Sequence, residues 1–299
     1  MPTPANARPS EMSDWKSIVL KLGHSPDPDD AFMFYAMAEA KIDLRGYRFE
    51  HILQDIQTLN ERAMRSELHI SAVSIHALAH VLDNYALLPS GASMGDGYGP
   101  MFVTLEKDPP NGDEEARTYL RTKKIAIPGK MTSAFLSAQL FLGADFQHVV
   151  IPFDEIFDAV KAGQADVGLL IHEGQLTYQN EGFHKVLDLG EWWKRTRGLP
   201  LPLGGNVIRK DLPVAVREEI RDILHESIAY GLAHRLPAVQ HSMEHARGMD
   251  EPLADRFIGM YVNDLTLDYG DAGRRAVETF LSEAADQGLI PINPHIEFV

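Results

Sequence analysis

The sequence of 299 residues contains no cysteine. This absence excludes disulfide bonds, a thiolate nucleophile and zinc bound by cysteine. The sequence also lacks an apolar run of about 18 residues, the length that a transmembrane helix needs, so we expect no membrane span. Its first 17 residues are polar and proline-containing, without the apolar centre of a secretory signal. We therefore expect a cytoplasmic protein, with a processed periplasmic protein as the alternative.

Positive charge is scarce as well. The chain has 28 Lys and Arg against 43 Asp and Glu, which gives a formal net charge of −15. Nucleic-acid phosphates and anionic membrane surfaces attract basic proteins, so this excess of acid argues against both as partners. Apolar residues, in contrast, make up 44% of the chain. That fraction is sufficient for the cores of about two domains at this length.

Strand-like and helix-like segments alternate along the chain, which predicts an α/β protein with a mostly parallel sheet. The predicted strands are 18–24, 47–53, 69–74, 85–94, 99–106, 123–129, 148–153 and 167–173. The predicted helices are 29–40, 57–68, 75–82, 130–145, 154–166, 213–234, 235–246, 251–261 and 271–290. Residues 183–212 predict a further strand, an aromatic turn and a crossing rich in Pro and Gly.

Three predicted strand-to-helix junctions carry small polar residues, at Ser25–Asp30, Ser71–Ser74 and Lys130–Ser133. Each junction places the N-terminus of a helix at the carboxyl end of a strand, where ligands bind in open α/β sheets. The free N–H groups of a helix N-terminus favour anions. The pattern thus indicates a ligand cleft, although ordinary turns between strands and helices would give the same pattern.

Several longer motifs occur in order: "GHSPDPDDAFMFYA", "PGKMTSAF", "DVGLLIHEGQLTY", "DLGEWWKRTRGLPLPLGG" and "YVNDLTLDYG". Together they resemble the menaquinone-biosynthesis enzymes of the futalosine route, and most closely the branch of 1,4-dihydroxy-6-naphthoate synthases. The resemblance implies a two-lobed α/β fold similar to type II periplasmic binding proteins, with a ligand cleft between the lobes. It implies one lobe from residues 1–103 and 207–299, and a second from residues 104–206.

The reaction that the resemblance implies is a carbon–carbon lyase step, from cyclic dehypoxanthine futalosine to 1,4-dihydroxy-6-naphthoate. It implies no cofactor and no metal, and a small anionic aromatic substrate that bears a carboxylate. A homo-oligomer is left open. Two other functions stay open too: a non-catalytic solute-binding protein of the same fold, and a related enzyme such as a chorismate dehydratase.

His172 ends an apolar predicted strand, so its side chain is expected at the edge of the cleft. Histidine is the side chain that most often serves as a general base. The alternative is a structural histidine hydrogen-bonded at the end of the strand. The resemblance assigns the role of base to this histidine.

The substrate-binding residues that the resemblance implies are all small. They are Ser25, then Ala72, Val73 and Ser74, and finally Thr132, Ser133 and Ala134. Backbone N–H groups and hydroxyls at these positions would hold a carboxylate without a positive side chain. The alternative for Ser74, Thr132 and Ser133 is that they only cap helices.

The chain departs from the family's common pattern at four positions, three in the turn that follows Ser25 and one at Ala72. Asp27 stands where the family often has Cys, Asp29 where it has Asn, Ala31 where it has Thr, and Ala72 where it has Lys. Added carboxylates near the cleft would repel an anionic ligand unless they face caps or solvent. Three aspartates also suit Mg²⁺ or Ca²⁺, but no matching acidic set is evident elsewhere in the sequence, so we expect no metal site.

Overall fold

The computed structural model describes residues 14–110, 112–291 and 295–299. Within these ranges the chain forms two β-sheets with helices packed around them. In chain order the strands are β1 (Val19–His24), β2 (Arg48–Leu53), β3 (Ile70–Ser74), β4 (Tyr85–Leu87), β5 (Ser93–Gly95), β6 (Met101–Thr104), β7 (Ile125–Ile127), β8 (His148–Val150), β9 (Val167–Leu170), β10 (His184–Asp188) and β11 (Leu201–Arg209).

The helices follow most of these strands. They are α1 (Pro28–Ala38), α2 (Ile56–Met64), α3 (Ile75–Val81), α4 (Asp113–Arg121), α5 (Ser133–Leu142), α6 (Ile156–Lys161), α7 (Gly174–Thr177), α8 (Leu189–Arg197), α9 (Val214–Ala233), α10 (Arg235–Ser242), α11 (Glu251–Tyr261), α12 (Asp264–Leu267) and α13 (Gly270–Asp286). None of them, in the part of the chain described, is long and apolar enough to cross a membrane.

Sheet A has the strand order β2-β1-β3-β11-β4, and β5 also pairs with β11. Sheet B has the order β10-β6-β9-β7-β8. In sheet A, β1 runs parallel to β2 and β3, whereas β11 runs antiparallel to its three neighbours. In sheet B, β7 pairs in parallel and β6 pairs antiparallel. The prediction of a mostly parallel sheet is therefore wrong, because returning strands enter both sheets in the reverse direction.

Residues 183–212 differ most from the sequence prediction. The predicted aromatic turn is the helix α8, whose first N–H groups, those of Gly190 and Glu191, donate to the carboxylate of Asp188. Trp192 and Trp193 are buried within this region. The segment rich in Pro and Gly is not a loose crossing but the nine-residue strand β11.

The chain passes from sheet A to sheet B between β5 and β6, and returns between α8 and β11. The first passage packs closely on the start of α8: a Cβ atom on Gly190 would lie 1.9 Å from the backbone oxygen of Tyr98. The predicted lobe boundaries at 103/104 and 206/207 fall inside β6 and β11. The division of the chain into lobes stays a prediction.

Buried apolar side chains form one large cluster that reaches from sheet A to sheet B, with Val73 and Leu87 on one side and Phe102 and Leu136 on the other. A second cluster packs α1 against α9 on the far face of sheet A. The two sheets are thus held side by side, with the C-terminal ends of β1, β3, β7 and β9 around a common space.

Candidate functional site

A cavity with an empty volume of about 740 Å³, partly open to solvent, lies at this meeting point. All eight residues predicted for the site line it: Ser25, Ala72, Val73, Ser74, Thr132, Ser133, Ala134 and His172. Each of them is at, or directly after, the end of a strand, which is why the fold brings them together. The structure places these residues around one space; their roles stay predictions.

The walls of the cavity are mostly apolar. Met33, Ile56, Ile171 and Leu203 contribute side chains from four different elements. Among the lining residues that the structure describes, none is Lys or Arg. A bound anion would therefore depend on N–H and hydroxyl donors, whereas a flat apolar ligand would contact these side chains directly.

The hydroxyl turn, residues 129–133, leads into α5, and its Thr132 and Ser133 line the cavity. The Thr132 hydroxyl donates to the Gly129 carbonyl at 2.8 Å and accepts from the Phe135 N–H at 3.2 Å, so it caps the helix. The Ser133 hydroxyl donates to the Leu203 carbonyl at 2.6 Å. The backbone N–H groups of Ser133 and Ala134 have no hydrogen-bond partner among the described residues. The turn therefore offers the cavity two free donors at the N-terminus of a helix.

The junction between β3 and α3 is held by Asn60 rather than by a cap. The Asn60 side chain accepts from the Ser74 N–H at 2.8 Å and donates to the Ser74 hydroxyl at 3.0 Å. Ser74 makes no side-chain cap to α3, so the capping alternative is wrong for this residue. Strand β1 pairs with β3 only as far as Ser71. The next residues, Ala72 and Val73, consequently have no strand beside them on that side.

The acidic turn, residues 25–30 before α1, brings three carboxylates close together. The Asp30 carboxylate accepts from the Ser25 N–H at 2.6 Å, and burial raises the pKa of Asp30 to about 6. Asp29 is partly exposed as a residue, but its Oδ1 is buried and has no hydrogen-bond partner among the described residues. Burial, with the neighbouring Asp30 and Asp27, raises the pKa of Asp29 well above its usual range. Asp29 therefore favours its neutral, protonated form.

His172 lies at the mouth of the cavity, with 18% of its side chain exposed. Its backbone has φ of +56°, a left-handed conformation that is unusual for a residue other than glycine. Its Nδ1 is 3.4 Å from Oδ2 of Asp27, which is buried behind it. With Nδ1 facing Asp27, the other ring nitrogen is available to the cavity.

The polar lining residues outside the predicted set are Asp29, Asp30, Ser93, Gln175, Asn206 and Tyr261. The Tyr261 hydroxyl donates to the Gln175 side chain. Both residues lie within the motifs "HEGQLTY" and "YVNDLTLDYG", so the sequence contained a signal, but not which side chain of each motif faces the cavity. Asn206 is in β11, a strand that was predicted to be a crossing, so this residue was not considered for the site. Across the residues described, His, Asp and Glu form no cluster of three or more that could hold a metal ion.

Relatives and solved structures resemble this chain over most of its length. A curated 1,4-dihydroxy-6-naphthoate synthase of Streptomyces coelicolor is 37% identical over 277 residues, which cover 91% of this chain and 95% of that protein. The enzyme of the same name from Thermus thermophilus is 35% identical and covers 94% of this chain and 99% of its own.

Among solved structures, a protein of Archaeoglobus fulgidus is 43% identical, with a TM-score of 0.84, and covers 91% of this chain and 98% of its own. A periplasmic aliphatic sulphonate-binding protein of Escherichia coli has a TM-score of 0.64 at 11% identity, over 92% of this chain and 94% of its own. At that identity the likeness concerns the fold alone, and the predicted periplasmic-binding-protein-like fold is confirmed.

A family model described as menaquinone biosynthesis matches residues 20–286. This match includes the hydroxyl turn, the acidic turn and His172. Together with relatives above 30% identity across most of the chain, it confirms the resemblance drawn from the motifs. The chain therefore belongs to the menaquinone-biosynthesis family.

Proposed function

We propose that the protein is a 1,4-dihydroxy-6-naphthoate synthase that acts in the cytoplasm on cyclic dehypoxanthine futalosine. The names of the two curated relatives support this reaction. The observation that carries it in the structure is the convergence of the eight predicted residues on one apolar-walled cavity.

In this proposal His172 is the general base that removes a proton from the substrate. It supplies the cavity's only imidazole among the described lining residues. Asp29 is a weaker candidate because burial shifts its carboxyl towards the protonated form, and Asp30 because its Oδ2 already accepts from the Ser25 N–H at 2.6 Å. Removal of the proton starts the cleavage of a carbon–carbon bond, which releases the small sugar-derived fragment. The ring that remains becomes aromatic.

The substrate carboxylate is proposed to bind at the hydroxyl turn. The N–H groups of Ser133 and Ala134 are free there, and α5 directs the positive end of its dipole at the same place. A neutral Asp29 would not repel the carboxylate and would donate a hydrogen bond through its O–H. In this way an acidic protein binds an acidic ligand without a lysine in the lining.

The remaining predicted residues are proposed to frame the ring system. Ser25 and Ser74 lie at two ends of sheet A strands, and Ala72 and Val73 contribute a flat, small surface between them. Small side chains at these places leave room for a fused ring. Met33 and Leu203 would exclude water from its faces, which strengthens the electrostatic contacts inside the cavity.

The test is turnover of cyclic dehypoxanthine futalosine by purified protein, with product followed by absorbance and mass. We expect the naphthoate to form, and we expect His172→Asn to lose at least about 100-fold in kcat while substrate binding changes only a few-fold. His184→Asn is the matched control, because His184 is exposed and outside the cavity.

Other outcomes would favour the alternatives. Tight binding of the substrate without turnover by the folded wild-type protein would favour a solute-binding role. Dehydration of chorismate without naphthoate formation would favour the related dehydratase. Full activity of His172→Asn would remove this histidine from its proposed role.

A further inference from the structure

Three side chains outside the cavity lining surround His172 on its buried side. Asp27, with 2% of its side chain exposed, places Oδ2 3.4 Å from Nδ1 of His172 and Oδ1 2.7 Å from the Arg247 guanidinium. The ring of Phe153 meets the imidazole edge-on, with 4.7 Å between centroids. Arg247 also lies over the ring of Phe153, 4.6 Å from its centroid.

A buried carboxylate needs a partner, since an unpaired charge inside a protein is strongly unfavourable. Asp27 does not use its side chain as a helix cap, although it precedes α1. Among the described residues, the basic side chains within ion-pair distance of Asp27 are Arg247 and His172. The N–H bonds of Arg247 do not point at Oδ1, so this contact is electrostatic rather than a hydrogen bond.

The members of this group come from both sheets. Asp27 follows β1 of sheet A, and Arg247 precedes α11, which packs on α1. His172 follows β9 of sheet B, next to Glu173, whose carboxylate is 3.4 Å from Arg247. The contacts of Asp27 with His172 and of Arg247 with Glu173 therefore join the two sides of the cleft.

We propose that Asp27 is a positioning residue for His172, and that Arg247, on the same side of the cleft as Asp27, holds Asp27 in place. Asp27 fixes the orientation of the imidazole so that Nδ1 faces the protein and Nε2 faces the substrate. Because the group is complete only when both sides of the cleft are together, the base is oriented in the closed arrangement. This inference rests on the proposed role of His172.

The backbone of His172 supports this role. A left-handed conformation at a residue with a side chain costs on the order of 1 kcal/mol and persists only where the surroundings impose it. The Gln175 N–H donates to the His172 carbonyl at 3.1 Å and fixes the backbone from one side. Phe153 and Asp27 fix the side chain from the other.

The decisive measurement is the NMR titration of the His172 imidazole in the ligand-free protein. Its signal is assigned by its absence from the spectrum of His172→Gln. Charged groups that face this ring are Asp27, Asp29 and Asp30 of the acidic turn, with Glu173 and Arg247. A carboxylate beside an imidazole favours the imidazolium, so Asp27→Asn should lower the titration midpoint. Arg247→Gln should raise it. Asp154→Asn, an exposed carboxylate near Phe153, should leave it unchanged.

Kinetics then separate this inference from the proposed function. We expect Asp27→Asn to lower kcat about 10-fold or more, to leave KM within a few-fold, and to move the acidic limb of kcat/KM to lower pH. An unchanged imidazole titration in a folded Asp27→Asn protein would overturn the positioning role, whatever the activity. A shifted titration with full turnover by His172→Asn would instead overturn the proposed base.

Asp27→Asn leaves Arg247 only its longer contact with Glu173, so this single variant is the one that could misfold. The double variant Asp27→Asn with Arg247→Gln removes both charges together and should fold. If Asp27 only balances Arg247, the double variant will recover wild-type kcat. If Asp27 positions His172, kcat will stay low and the imidazole titration will stay altered.

Discussion

Two turns border the same cavity and each leads into a helix, yet their chemistry differs. The cap of the hydroxyl turn is local: Thr132 bonds to the backbone on both sides of the helix start. In the acidic turn the Asp27 side chain caps no helix; Arg247 and His172 approach it, and burial raises the pKa of Asp29. A neutral helix cap can be built from local contacts, whereas a buried carboxylate depends on distant parts of the chain.

This difference has a functional side. The free N–H groups of the hydroxyl turn are available to a ligand because its side chains are already paired. The acidic turn gives one carboxyl, that of Asp27, to the wall behind His172, and burial raises the pKa of another, that of Asp29, at the cavity. A carboxyl in its neutral form would not repel an anionic ligand.

The largest loss of stability is expected at Gly129 of the hydroxyl turn, where neither the backbone conformation nor the space suits a side chain. Gly129 has φ of +157°, and a Cβ there would lie 2.3 Å from the Gln57 side chain. Gly129→Ala should lower the free energy of unfolding by about 3 kcal/mol in urea titrations. Gly163→Ala, at φ of +72° in open space, should lose only about 1 kcal/mol. Equal losses would show that crowding at the turn is unimportant.

The next prediction concerns the pH dependence of stability that arises from His24, the residue before the acidic turn. Burial and the nearby His51 lower the pKa of His24 to about 3. The unfolded chain takes up this proton below about pH 6.5 while the folded protein does not, so stability falls as the pH drops below that value. His24→Gln should remove about 2 kcal/mol of the stability difference between pH 7 and pH 5. The prediction would be contradicted if His24→Gln kept the wild-type difference in stability between pH 7 and pH 5. It would also be contradicted if His184→Gln reduced that difference equally.

Asp29 should show the opposite pH dependence. Its pKa is raised in the folded protein, so its contribution to stability is present at low pH and is lost as the pH rises. Asn has the same shape without the charge, so Asp29→Asn should raise the thermal midpoint by about 5 °C at pH 8. At pH 4 the variant and the wild type should have the same thermal midpoint. A destabilised Asp29→Asn protein at pH 8 would show that the carboxylate is ionised and paired.

The smallest expected effect tests whether the stability contributed by the hydroxyl turn is independent of pH. Thr132→Val keeps the shape of the side chain and removes both hydroxyl hydrogen bonds. The free energy of unfolding should fall by about 1 kcal/mol. In contrast with the variants of the acidic turn, the loss should be equal at pH 5 and pH 8. A loss confined to one pH would mean that the turn is coupled to a titrating group.

Much of the fold and of the cavity lining was predictable because its causes are local. Pro28 after an acidic residue starts α1, and Thr132 starts α5. The cavity residues lie at strand ends, and strand ends are visible in the alternation of apolar and polar residues. Gln175 and Tyr261 were within recognised motifs but were missed, because a motif does not reveal which side chain points inwards.

The sequence by itself determined where many of the strands and helices begin, which residues end several strands, and that the family's motifs are present in order. These properties depend on neighbours within a few residues, through capping and backbone conformation. Only the tertiary structure decided that β11 runs antiparallel within sheet A and that α8 occupies the expected turn. It also decided that Asp27, His172 and Arg247 meet. Those outcomes depend on contacts between distant segments, and the choice among them is made by burial and charge pairing in the folded chain.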